Sequence, residues 1–221
     1  NAIAIRIARA YSKKNNVAIC GYHGWHDWYL ALNIKSKKQM QELLLKNLKT
    51  EGVPKDLAKT VFTFDYNDIK KVEYLIKKKS IGSIIMEVTR NFSPQNNFLK
   101  KIRTLCNKHK VILIFDECSS GFRETLGGIH KKYKVYPDLC MYGKALGNGY
   151  AITAIVGKKK IMLKSKNSFI SSTFWSERIG YVAALKTISE MRRLKSYNYV
   201  KKIGIYIKKE WKRLAKKHAL E

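Results

Sequence analysis

Val111-Ile-Leu-Ile-Phe115 runs straight into Asp116-Glu117. A short apolar run that ends in acid reads as a buried strand delivering a carboxylate to the mouth of a sheet. A second run, Leu139-Cys-Met-Tyr142, leads into Gly143-Lys144-Ala-Leu-Gly-Asn-Gly149, a lysine set in a glycine-flanked turn. Outward from these two, the pattern alternates. Residues 1 to 13 predict an amphipathic helix with Ile3, Ile7 and Ala10 on one stripe, followed by a strand at Val17-Ala-Ile-Cys20 and the glycine-bounded loop Gly21-Tyr-His-Gly-Trp-His-Asp-Trp28. Lys38 to Lys49 reads as helical, and Gly52-Val-Pro54 breaks it. Val61-Phe-Thr-Phe64 is a strand, Asn67 to Lys79 a helix capped by Asn67, and Ser83-Ile-Ile-Met86 another strand. A helix over Phe98 to His109 precedes the 111 to 115 strand. Weaker strands at 139–142 and 152–156 and two terminal helices, about 177–194 and 197–218, complete the pattern. Strands alternating with helices of this length predict an α/β fold, three layers with a mainly parallel sheet covered on both faces. Ligands of such sheets sit beyond the carboxyl ends of the strands. The aromatic loop, Glu87, Asp116 and Lys144 all fall there.

Composition bounds the reading. A chain of 221 residues with 45% hydrophobic content can bury a core, and it has no apolar run long enough for a membrane span. Cys20, Cys106, Cys118 and Cys140 are widely spaced without a C-x-x-C pair, which points to reduced thiols in a cytoplasmic protein. The net charge of +29 invites a basic nucleic-acid-binding module. Against it, 36 of the 45 basic residues are scattered lysines, whereas phosphate and base recognition favours the arginine fork. Solvated faces, with no nucleic acid and no membrane as partner, are the expectation. The chain also reads as incomplete, starting within a helix without Met and stopping directly after a basic helix.

Candidate residues have local alternatives. Lys144 needs burial or a cationic neighbour to become a nucleophile; otherwise it is a loop lysine beside a tight turn. Asp116 can cap the next segment, ligate magnesium, or hold a pyridine nitrogen protonated. Tyr22 offers a flat face at a strand end, and His23-x-x-His26-Asp27 is a weak metal signal, so no metal is expected. Ser171-Ser-Thr-Phe-Trp175 offers hydroxyls for a phosphate, or Ser176 simply caps the following helix. An acid at one strand end and a lysine at another is the pairing that pyridoxal 5'-phosphate requires: one keeps the ring nitrogen protonated, the other holds the aldehyde.

Taken in order, Ala2-Ile-Ala-Ile-Arg-Ile-Ala-Arg-Ala10, Gly21-Tyr-His-Gly-Trp-His-Asp27, Phe64-Asp-Tyr-Asn-Asp68, Ile114-Phe-Asp-Glu-Cys-Ser-Ser-Gly-Phe-Arg123, Tyr142-Gly-Lys-Ala-Leu-Gly-Asn-Gly149 and Ser172-Thr-Phe-Trp-Ser-Glu177 resemble the class III aminotransferases, fold type I pyridoxal-phosphate enzymes. Within them the chain is similar to the branch with glutamate-1-semialdehyde 2,1-aminomutase. The resemblance implies that residues 1–221 are a cofactor-binding large domain, lacking the phosphate loop before residue 1 and the C-terminal small domain. It implies transfer of an amino group between an amine and a carbonyl compound, or the aminomutase's intramolecular version. Lys144 then carries the cofactor and moves the proton, and Asp116 meets the ring nitrogen with Glu117 and Glu87 as supporting carboxylates. Tyr22 stacks on the ring, His23 is its neighbour, and Cys118 lies against the opposite face where the family usually has valine. Thr173 resembles the threonine that binds cofactor phosphate across the interface of a homodimer.

Overall fold

The computed structural model describes residues 1–35, 48–89 and 93–220. Six strands form one sheet in the order β2-β1-β3-β4-β5-β6, where β1 is Asn16–Cys20, β2 Val61–Thr63, β3 Ile81–Glu87, β4 Ile112–Asp116, β5 Leu139–Tyr142 and β6 Ala154–Gly157. The pairs from β2 through β5 are parallel; β6 runs antiparallel to β5, with Tyr142 opposite Ala154. Residues 143–153 form no helical crossover between these two strands, so the chain turns back and β6 lies at the edge.

Alternation along each strand separates two cores. Leu113, Phe115, Cys140 and Tyr142 join α4 (Ile69–Lys78) and α5 (Phe98–His109) on one face. Ile112, Ile114, Leu139 and Met141 join α1 (Ala2–Ser12) and the short helices α2 (Asp27–Leu30), α3 (Leu32–Lys35) and α7 (Lys159–Met162) on the other. The three-layer arrangement expected from the alternation of elements is therefore present. The other α-helices of the described residues are α6 (His130–Tyr133), α8 (Ile179–Leu194) and α9 (Ser196–Lys217). Helix α8 buries only Gly180, Ala184 and Met191, and α9 buries none of its residues.

Two expectations shift. The cap of α4 is Asp68, whose side chain accepts from the Lys71 amide at 2.9 Å. Asn67 instead takes a left-handed conformation, φ 73°, and its side chain bonds Gln95 N and Ser93 O, tying down the loop before α5. Strand β3 takes in Ile81 and Glu87 beyond 83–86, because its full apolar run is buried between both layers. The helix expected over 38–49 falls mainly on residues outside those described.

Candidate active site

Strand β4 is the axis of the site. Adjacent residues leaving a strand point to opposite faces, so Asp116 and Glu117 part company there. Asp116 turns to the α1 face. Its Oδ2 accepts from Asn1 Nδ2 at 2.8 Å and lies 2.8 Å from His23 Nδ1, while Oδ1 accepts from the Cys118 amide at 3.0 Å. Burial alone favours the neutral acid, but His23, the Cys118 amide and Asn1 together outweigh it and hold the Asp116 pKa at about 2. The second ring nitrogen of His23 lies 3.0 Å from the Cys20 carbonyl, so the ring is held at both ends.

Glu117 goes the other way, to the face of the sheet that packs on α4 and α5. Its carboxylate is wholly buried and accepts from Ser120 Oγ (2.8 Å), the amides of Ile129 (2.8 Å) and His130 (3.0 Å), and pairs with His130 Nδ1 at 2.8 Å. It fastens the 117–130 excursion to the far core instead of facing the site. Glu117→Ala leaves two buried amides without acceptors, each costing about 1–3 kcal/mol. A fall in chemical-denaturation stability of at least about 2 kcal/mol is expected; an unchanged midpoint would refute this structural role.

Lys144 follows the strand next to β4. Asp116 is in register with Met141, and Lys144 lies just beyond it, after the extended Gly143. Its φ of 45° is left-handed, a sparsely populated conformation for a residue with a side chain. Lys144 is exposed and its Nζ donates to Ser119 Oγ at 2.7 Å. Between acid and lysine sits Cys118: burial first, then the Asp116 carboxylate, push its thiol up to about 12, against a smaller pull from Lys144. The thiol is therefore neutral and acts as a packing group. A Cβ on Gly143 would stand 3.6 Å from its sulfur.

Glu87 is in register with Asp116 one strand over, and its Oε2 accepts from the Tyr22 amide at 3.3 Å. Gly21, at φ 103°, allows this approach, since a Cβ there would come within 2.8 Å of the same oxygen. The half-buried Tyr22 ring meets Tyr29 edge to face, 5.6 Å between centroids. Thr173 lies apart from this cluster, in the exposed turn Thr173–Ser176. That turn is capped by Ser172; α8 has Arg178 at its N-cap position, and the Glu177 carboxylate just before it accepts from Ile179 N (2.6 Å) and Gly180 N (3.1 Å), so Ser176 is not the cap. Among the described residues His23, His26 and Asp27 form no metal-ligand group, and the one group that does gather, Glu117, His130 and Cys140, already spends its carboxylate oxygens on the bonds above.

A cleft of about 1120 Å³ opens beside Lys144, lined by Arg123, Tyr150, Phe174, Trp175 and Glu177 among others. Sequence reasoning missed Asn1, Ser119 and Arg123. Ser119 and Arg123 lie in the same quoted block as Asp116, 114–123, so spacing from the acid was the available signal; nothing marked Asn1.

This donor set fits pyridoxal 5'-phosphate. A buried ionised carboxylate suits a protonated ring nitrogen, and a lysine one strand away suits the aldehyde. The architecture, a three-layer α/β fold around a mainly parallel sheet, is the one seen in the fold type I transaminases. The chain belongs to the aminotransferase class-III family, whose profile matches residues 1–221. It is 38% identical over 200 residues to the 3-aminobutyryl-CoA aminotransferase of Cloacimonas acidaminovorans (strain Evry), covering 86% of this chain and 44% of that protein. It is 34% identical over 218 residues to the glutamate-1-semialdehyde 2,1-aminomutase of Wigglesworthia glossinidia brevipalpis, covering 94% and 49%. The chain spans about half the length of these curated relatives. Among solved structures, an omega-transaminase from Sphaerobacter thermophilus superposes with a TM-score of 0.74 at 25% identity, over 86% of this chain and 47% of that one. An S-selective transaminase from Arthrobacter sp. gives 0.75 at 20% identity, over 98% and 53%, a likeness of fold. No helix among the described residues is long and apolar enough to cross a membrane.

Proposed function

We propose that the chain is the cofactor-holding large domain of an enzyme that uses pyridoxal 5'-phosphate to move an amino group from an amine to a carbonyl compound. One observation carries the reading: Asp116 and Lys144 occupy the ends of adjoining parallel strands, linked through Cys118 and Ser119. When bound, the cofactor supplies an electron-accepting ring that draws the electron pair from a breaking carbon–hydrogen bond. Asp116 would hold the proton on the ring nitrogen. His23 and Asn1 keep that carboxylate ionised and aimed. Lys144 would hold the cofactor's aldehyde carbon through its amine, and the same amine would accept and return the proton that moves during the transfer. Tyr22 and Cys118 would pack against the cofactor, with Glu87 fixing the Tyr22 backbone.

Thr173 serves a neighbouring subunit's phosphate in this reading. Its exposure, and that of Phe174, Trp175 and Ile179 around it, favour a homodimer with shared sites. Four free cysteines accord with a cytoplasmic location. A second reading, intramolecular amino transfer of the aminomutase kind, is supported by the 34% identity to the Wigglesworthia enzyme. It needs the same residues and consumes no second carbonyl compound.

The test uses the full-length protein produced with pyridoxal 5'-phosphate. The expected result is a visible absorbance that survives gel filtration, is fixed by borohydride, and is bleached by an amine donor and regenerated by a keto acid. Protein that retains no cofactor, or whose absorbance ignores every amine, removes the proposal. Regeneration without added carbonyl compound selects the aminomutase version.

A further inference from the structure

Ser119 holds two cations at once. Its hydroxyl accepts from Lys144 Nζ at 2.7 Å, and its carbonyl accepts from Arg123 Nε at 2.6 Å. With Nε spent, Arg123 keeps both terminal nitrogens of its guanidinium, a planar fork matched to a carboxylate. Arg123 and Lys144 line the same cleft of about 1120 Å³. Among the described residues, the charged ones in that lining are Arg123, Lys144 and Glu177. Lys144 is committed to the cofactor in the proposed function, and both Glu177 oxygens are occupied by the amides of Ile179 and Gly180. Arg123 is thus the charge in the cleft with donors left to give. The same lining includes open apolar surface: Phe174 is 72% and Trp175 54% exposed.

We infer that Arg123, pinned by Ser119, is the specificity-determining residue of the site and binds a carboxylate a few bonds from the substrate's amino group. This rests on the amino-transfer reading above. Because one residue spaces the guanidinium from the lysine amine, the anion and the reacting nitrogen are held a short distance apart. The apolar wall suits the carbon chain that joins them. The substrate class is therefore an amino acid, in preference to an amine without charge at its far end.

The test compares 3-aminobutanoate with sec-butylamine, which has the same carbon count and branching but no carboxylate, on full-length protein loaded with cofactor. Half-saturation is read from bleaching of the visible absorbance. Wild-type protein is expected to favour the acid, and Arg123→Gln to reduce that preference by roughly tenfold to a hundredfold, the range for a charged hydrogen-bonded pair. Arg123→Lys recovers part of it, since a point charge replaces the fork. Independently of turnover, butanoate is expected to protect Arg123 from phenylglyoxal in the cofactor-free protein, followed by peptide mass. Intact absorbance with an unchanged acid-to-amine ratio in Arg123→Gln, or no preference in wild type, overturns the assignment of Arg123 alone. Wild-type protein that holds no cofactor overturns the amino-transfer reading and this inference with it.

Discussion

Lys144→Ala, in full-length protein supplied with pyridoxal 5'-phosphate, loses the borohydride-fixable visible absorbance and slows amino transfer by about 10⁴-fold or more, the scale of a positioned proton-transfer group. The chain has 36 lysines, so charge alone cannot single this one out. What distinguishes Lys144 is its place. It follows the strand beside Asp116, it is held at φ 45°, and its amine rests on a hydroxyl that belongs to the same excursion as the acid. A left-handed backbone at a side-chain-bearing residue is tolerated where the surroundings impose it, and such sites are enriched in function. Lys144→Arg separates two roles. It preserves the positive charge and a donor towards Ser119, yet cannot form the covalent link. If the lysine acted only through charge, Lys144→Arg would keep much of the activity; the expected result is a loss as deep as that of Lys144→Ala. A fixable absorbance persisting in both variants would move the anchor to another lysine.

The fold was legible because burial leaves a linear trace. The runs 111–115 and 139–142, flanked by helical periodicity, announce strands covered on both faces, and an acid or lysine at their ends is placed by the sheet itself. Direction and face left no such trace. Nothing in Ile152 to Val156 marks β6 as antiparallel, since that follows from the absence of a helix between it and β5. Asp116 and Glu117 look alike as neighbours in sequence, and only the alternation of β4, with Ile114 in one core and Phe115 in the other, sends them apart. Asn67 and Asp68 are both acceptable caps on chemistry, and the choice fell to the loop bonds that Asn67 makes to Ser93 and Gln95. Asn1 comes to Asp116 across more than a hundred residues of chain, a contact that spacing cannot foretell.

Asp116→Asn is expected to retain the covalent cofactor and slow turnover by about 10³-fold, the scale of removing one preorganised electrostatic partner. The carboxylate is 5% exposed and already ionised before any ligand arrives, because its pKa sits at about 2. It therefore needs no rearrangement to meet a ring-nitrogen proton. An amide is neutral and cannot stabilise that proton, so the pyridine ring accepts electrons less well when the substrate's carbon–hydrogen bond breaks. The pH dependence has a definite sign. A carboxyl whose folded pKa lies below its unfolded value of 3.8 contributes stability above that value, and the contribution is lost as the pH falls through about 2. Its size is on the order of 2 kcal/mol. Wild-type protein should thus show an acid-unfolding limb between about pH 4 and 2 that is shallower in Asp116→Asn. At neutral pH the variant pays separately in geometry: an amide nitrogen at the Oδ2 position confronts Asn1 Nδ2, a donor, and one of the two must turn away. Melting at pH 7 and the fixed absorbance together show whether the site survives the change. If both survive and turnover stays at the wild-type rate, Asp116 does not hold the ring nitrogen, whatever its position in the sheet.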